Sequence, residues 1–217
     1  MEHCCTGKTE ALALLRVRQR RVLQLVLAVN AVMFTAEFVA GLVANSTALL
    51  ADSLDMLGDA LVYGLSLYSL HRSEGWRASA AFVKGVIMAL FGAGVLVKAV
   101  LNMLSGVVPQ EGLMGMFGML ALGANVGCLL VLLRHQDDDL NMRSAWLCSR
   151  NDVIANAGVL LAAAGVFITG TAWPDLLIGL AIASLFLHSA HDVVRTSVAE
   201  LRLAFLKTPV SAGRREA

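Results

Sequence analysis

The chain has 217 residues, 58% of them hydrophobic and 15% charged, with a mean hydropathy of +0.72. That composition excludes an ordinary soluble domain and describes an integral membrane protein. A formal net charge of +1 leaves no general attraction to nucleic acid, so the placement of individual charges carries the information.

Residues 1–21, MEHCCTGKTEALALLRVRQRR, form a basic N-terminal tail ahead of the first apolar run. No small-residue cleavage site follows, so the run is expected to be a retained span, not a cleaved signal. His3, Cys4 and Cys5 cluster on this tail, where thiolates and an imidazole suit capture of a soft metal; an unstructured terminus explains them equally well. Adjacent Cys4 and Cys5 are poorly placed to bridge each other, and Cys128 and Cys148 fall in apolar segments, so free thiols are expected.

A membrane-spanning helix needs about 20 mainly apolar residues. Six segments meet this at roughly 22–44, 47–70, 80–104, 113–134, 144–169 and 174–195. Polar or turn-forming pieces separate them, and Pro109 and Pro174 fall in two of these. Apart from Lys98 within span three, lysine and arginine fall in the two tails, in the second and fourth loops, and in the parts of the spans beside them; the first, third and fifth loops have none. The positive-inside rule then places both termini in the cytosol. The expected fold is all-α: a six-helix transmembrane domain over residues 22–195, with a short cytosolic tail at 196–217 that is too small for a second folded domain.

Span two carries Asp52, Asp55 and Asp59. At about 100° per residue, Asp55 lies about −60° and Asp59 about −20° from Asp52, so the three share one face. An aspartate at a helix centre costs about 3 kcal/mol on insertion scales, so the group requires a compensating partner. Repulsion between carboxylates one turn apart favours keeping a displaceable proton. Span five supplies a complement in WLCSRNDVIANAG: Cys148, Asp152 and Asn156 recur every four residues, while Arg150 points away and can snorkel. Asp55, Asp59, Cys148 and Asp152 together offer three carboxylates and a thiolate, a tetrahedral set suited to a divalent transition metal. Asp52, nearer the outer end, is expected to be a structural hydrogen-bonding residue, and Asn156 a structural or pathway residue.

Other polar residues have simpler readings. Asn30 and Glu37 share a face of span one, and Lys98 lies at similar depth on span three, so a buried Glu37–Lys98 pair is expected. Gly92, Gly94, Gly115 and Gly118 are expected to mark close helix packing. His135 and the acidic run after it describe a solvated loop that can also gather cations at the pore mouth. His188, His191 and Asp192 read as interfacial residues.

STALLADSLDMLGDA at 46–60 and NMRSAWLCSRNDVIANAGVL at 141–160, together with WPDLLIGLAIASLFL at 173–187, resemble the cation diffusion facilitator family over about residues 20–195. The resemblance implies a homodimeric six-helix exporter in the cell membrane that exchanges cytosolic Zn²⁺, Cd²⁺ or Co²⁺ for protons and holds no permanent cofactor. It also implies that Asp55 and Asp59 are metal ligands, joined by Asp152 and by Cys148, where the family usually has histidine or aspartate. The thiol tilts the expected preference towards softer ions. Many members carry a cytosolic domain after the sixth span; without one, dimerisation is expected through the transmembrane helices. Two other classes accommodate intramembrane aspartates: an intramembrane aspartyl hydrolase, whose glycine-flanked and proline-containing motifs are missing, and a metal-binding membrane scaffold that moves no ions.

Overall fold

The computed structural model describes the backbone of residues 2–69, 74–134 and 140–207, and the side chains of 20–65, 75–76, 78–134 and 149–203. Six helices follow one another: α1 (Glu2–Ala44), α2 (Thr47–Ser69), α3 (Glu74–Ser105), α4 (Glu111–Leu133), α5 (Leu140–Thr169) and α6 (Trp173–Lys207). All six expected segments are helical, and no strand occurs among the described residues. Five of the helices are long and apolar enough to cross a membrane, and α2 is the one set apart by its three aspartates. Large hydrophobic residues on the outward faces, such as Leu104, Leu161, Phe167 and Ile168, are exposed, as expected for surfaces that meet lipid.

Four helices run past the apolar segments, and all four extensions lie at the lysine- and arginine-bearing end. α1 is helical from Glu2, α3 from Glu74 and α5 from Leu140, while α6 continues to Lys207. Hydropathy marks the hydrocarbon layer and not the helix, and the helix persists wherever backbone propensity allows. Helix therefore reaches into both expected tails. The side chains of His3, Cys4 and Cys5 lie outside the described residues, as does His135 altogether.

At the opposite end the connections are tight. Asn45 takes a left-handed conformation (φ 53°) just past α1. Ser46 N–H donates to the Gly41 carbonyl at 3.0 Å and Asn45 N–H to that of Leu42 at 3.4 Å, which closes the last turn in a Schellman arrangement. Gly106 and Gly170 end α3 and α5 at φ 63° and 64°, a backbone region that glycine enters without penalty.

The N-terminus of α2 is capped from two directions. Ser46 Oγ accepts from Leu49 N–H at 3.0 Å, the local cap. Asp175, at the start of α6, accepts from Thr47 N–H at 2.7 Å, from Ala48 N–H at 3.0 Å and from Ser46 Oγ at 2.6 Å. A carboxylate thus faces the positive end of the α2 dipole and satisfies amides that no intrahelical carbonyl reaches. Gly179, one turn further along α6, lets the two backbones touch: a Cβ there would sit 2.6 Å from the Thr47 carbonyl carbon.

The helices associate mainly as α1 with α2, α3 with α6 and α4 with α5, and α2 lies at the centre against all the others. Leu49, Leu50 and Leu54 of α2 form the core with Met88 and Val95 of α3, Met114 of α4, Val159 and Val166 of α5, and Phe186 of α6. The expected glycine packing divides by face. Gly92 abuts Leu187 and Gly118 abuts Leu160, whereas a side chain at Gly94 or Gly115 would meet nothing within 4 Å.

Candidate metal site

α2 and α5 bring Asp55, Asp59 and Asp152 to the wall of one cavity of about 680 Å³. Its remaining lining includes Met88 from α3, Gly158 from α5 and Ile178, Ile182 and Phe186 from α6, with Lys84, His188, Ser189 and Val193 towards the basic end of the bundle. Asp59 and Asp152 are more than nine-tenths buried. Their carboxyls face each other within hydrogen-bonding reach, and Lys84 lies close enough to Asp59 to attract it electrostatically. Tyr63, one turn along α2, donates its hydroxyl to Asp59 Oδ2 at 2.8 Å and so fixes that carboxyl's orientation.

These groups form a concave, acidic site with an apolar surround. Anionic oxygens from two helices favour a divalent cation, which would offset the repulsion between them. Among the described residues, no three His, Cys, Asp or Glu side chains stand close enough together to hold a metal ion between them. Cys148 lies on α5 one turn before Asp152, and its side chain lies outside the described residues.

Asp52 belongs to a different layer. It is fully buried, does not line the cavity, and accepts from Asn156 Nδ2 with both carboxylate oxygens, at 3.0 and 2.8 Å. Asn156 Oδ1 in turn accepts from Asn125 Nδ2 of α4 at 3.3 Å. A polar chain therefore crosses from α4 through α5 to α2.

The expected Glu37–Lys98 pair does not form. Lys98 Nζ donates to Asn45 Oδ1 at 2.8 Å, and Asn102 Nδ2 donates to the Asn45 carbonyl at 2.8 Å, so α3 grips the α1–α2 turn. Glu37 faces Asp52 instead, and neither of its carboxyl oxygens has a hydrogen-bond donor. Equal depth was a poor guide because helix azimuth decides which side chains meet.

Four residues around these groups had no assigned part in the sequence reading. Asn125 lies in an apolar run, and Asp175 directly follows Pro174 at the entry to the sixth span. Tyr63 falls at i+4 from Asp59, a spacing that would have revealed it. Cys128 of α4 is buried against Tyr63, Val26 and Leu132 and is electrostatically near Asp152 and Asp59. Near the basic end, His188 and Asp192 form an exposed i, i+4 pair at 3.6 Å.

The family model described as the cation efflux transmembrane domain matches residues 23–202. The chain is 26% identical over 193 residues to the cadmium, cobalt and zinc/H(+)-K(+) antiporter of Bacillus velezensis, covering 80% of this chain and 61% of that protein. It is 29% identical over 192 residues to the metal cation efflux system protein CzcD of Cupriavidus metallidurans, covering 82% and 60%. Against the zinc transporter ZitB of Escherichia coli it is 28% identical over 187 residues, covering 80% and 59%. The chain thus spans about three-fifths of the length of these relatives.

Proposed function

The chain belongs to the cation efflux transmembrane family, and on that premise we propose that it exports divalent transition-metal ions of the Zn²⁺, Cd²⁺ and Co²⁺ type from the cytosol in exchange for protons. The observation that carries this reading is the convergence of Asp55, Asp59 and Asp152 on one cavity inside a bundle of membrane-length helices. The names of the relatives, which specify zinc, cadmium and cobalt, support it.

In this reading α2 is a sixth crossing whose carboxylates are sheltered from lipid by the other five helices. The ion enters from the basic end, which the positive-inside rule assigns to the cytosol, and passes Lys84 and His188. Asp55, Asp59 and Asp152 receive it, with Cys148 as the fourth ligand. Ligand carboxyls release protons as the ion binds, and protons arriving from the other side displace it after the bundle reopens there. The functional unit is a homodimer of the cell membrane, associated through the apolar outer faces of the helices.

The test is uptake of Zn²⁺, Cd²⁺, Co²⁺, Ni²⁺ and Pb²⁺ into proteoliposomes under an imposed pH gradient. Wild-type protein is expected to move the first three with opposite proton flow, and Asp55→Ala and Asp152→Ala to insert normally but transport nothing. Undiminished transport by those variants would overturn the site.

A further inference from the structure

Glu37 presents an unresolved problem of pairing. It is completely buried in the outward half of α1, and both carboxyl oxygens lack a donor. An uncompensated carboxylate in such a place is costly, and the neighbouring group within hydrogen-bonding reach is another carboxyl, that of Asp52. Two ionised carboxylates offer each other no donor, whereas a single proton between them supplies it.

The surroundings say which partner carries that proton. Asn156 donates to both oxygens of Asp52, an arrangement that suits the ionised form. Asn125 orients Asn156 by donating to its carbonyl oxygen, so that the amide group faces Asp52. Glu37 has no comparable donor. The other charged groups facing the pair are acidic: Asp55 on α2 and Asp152 on α5. α4 contributes the neutral Asn125, Lys98 of α3 is engaged by Asn45, and Asp175 of α6 is engaged by the α2 amides. No cation among these groups takes the place of the proton.

We propose that Glu37 and Asp52 form a second ion-binding site whose ligand is a proton, layered between the cavity carboxylates and the α1–α2 turn. Helical rise puts Glu37 roughly 10 Å from the end of α1, and Asp52 roughly 8 Å and Asp59 roughly 18 Å from the start of α2. A proton arriving from the α1–α2 turn end therefore reaches this pair before the metal ligands. The cavity that reaches Asp55 and Asp59 does not include it. In the bound state the proton sits on Glu37 and is donated to Asp52; on release both are carboxylates. The pair binds the counter-ion of the proposed exchange and so rests on that reading for its transport role.

The experiment uses the full chain in phospholipid vesicles with Zn²⁺ as the probe. Infrared spectra of protein with isotope-labelled glutamate should show a protonated-carboxyl stretching band at neutral pH that is absent in Glu37→Gln. Wild-type Zn²⁺ uptake should change by up to about tenfold per pH unit where the site titrates. Glu37→Gln and Asp52→Asn should flatten that response and lower the protons moved per Zn²⁺, while equilibrium Zn²⁺ binding is retained. Variants with the wild-type pH response and proton ratio would overturn the proposal, as would a wild-type spectrum without the band. If wild type carries Zn²⁺ with no proton counterflow, the exchange reading fails, and the band alone then decides whether the pair holds its proton. The wild-type spectrum also decides the matter if neither variant folds.

Discussion

Asn156 holds both carboxylate oxygens of Asp52, at 3.0 and 2.8 Å, although the two residues are 104 positions apart in the chain. The contact joins α5 to α2 beside the cavity. It also explains how a fully buried aspartate is tolerated without contacting a cation.

Replacing Asn156 by leucine leaves Asp52 without that donor. The expected loss is about 2–3 kcal/mol of stability, the penalty for stranding a buried polar group. Thermal or denaturant unfolding in detergent measures it. Adding Asp52→Leu to the same protein should recover part of the loss, since removing both partners costs less than removing one.

Tyr63→Phe deletes the hydroxyl that orients Asp59. Loss of such an orienting partner typically weakens metal affinity by about 10- to 100-fold. Isothermal titration with Zn²⁺ should show that decrease with an unchanged melting temperature. Wild-type affinity in Tyr63→Phe would mean that Asp59 is positioned by other means.

Asp175→Ala removes the acceptor for two amides and a hydroxyl at the start of α2. A cap of this kind contributes about 1–2 kcal/mol, and Asp175→Asn should lose less because one oxygen acceptor remains. Gly179→Ala tests the same junction sterically: its Cβ would press on the Thr47 backbone, at a cost of about 1–3 kcal/mol. Gly94→Ala, with open space around it, serves as the control and should be neutral or slightly stabilising.

Cys148→His replaces a soft thiolate by imidazole, one turn before Asp152. Competition uptake should shift from Cd²⁺ towards Zn²⁺. An unchanged Cd²⁺ to Zn²⁺ ratio would remove Cys148 from the ligand set.

The helices and the shared acidic face were legible because they follow from the chain's own repeat. Asp55 and Asp59 lie one turn apart on any α-helix, and an apolar run long enough to span the bilayer leaves little choice of secondary structure. Relations between helices were harder to read. Glu37 and Lys98 looked complementary in charge and depth, but Glu37 turns towards a like charge and Lys98 towards Asn45. Gly94 and Gly115 resemble Gly92 and Gly118 in sequence, yet the first two face open space while the others admit a neighbouring helix. Asp175 was informative only once its partner, the start of α2, had been placed beside it.

That junction has a mechanical consequence. With Asp175 tied to the first amides of α2 and Gly179 pressed against the same turn, α2 and α6 are pinned together at one end, like the two legs of a compass. A small angular change at the pin produces a displacement that grows along the legs, and Asp59 stands roughly 18 Å from it. Rocking about this point would widen or narrow the passage beside Asp59 while barely disturbing the turn itself. A tight joint at one end thereby gives the far end room to move.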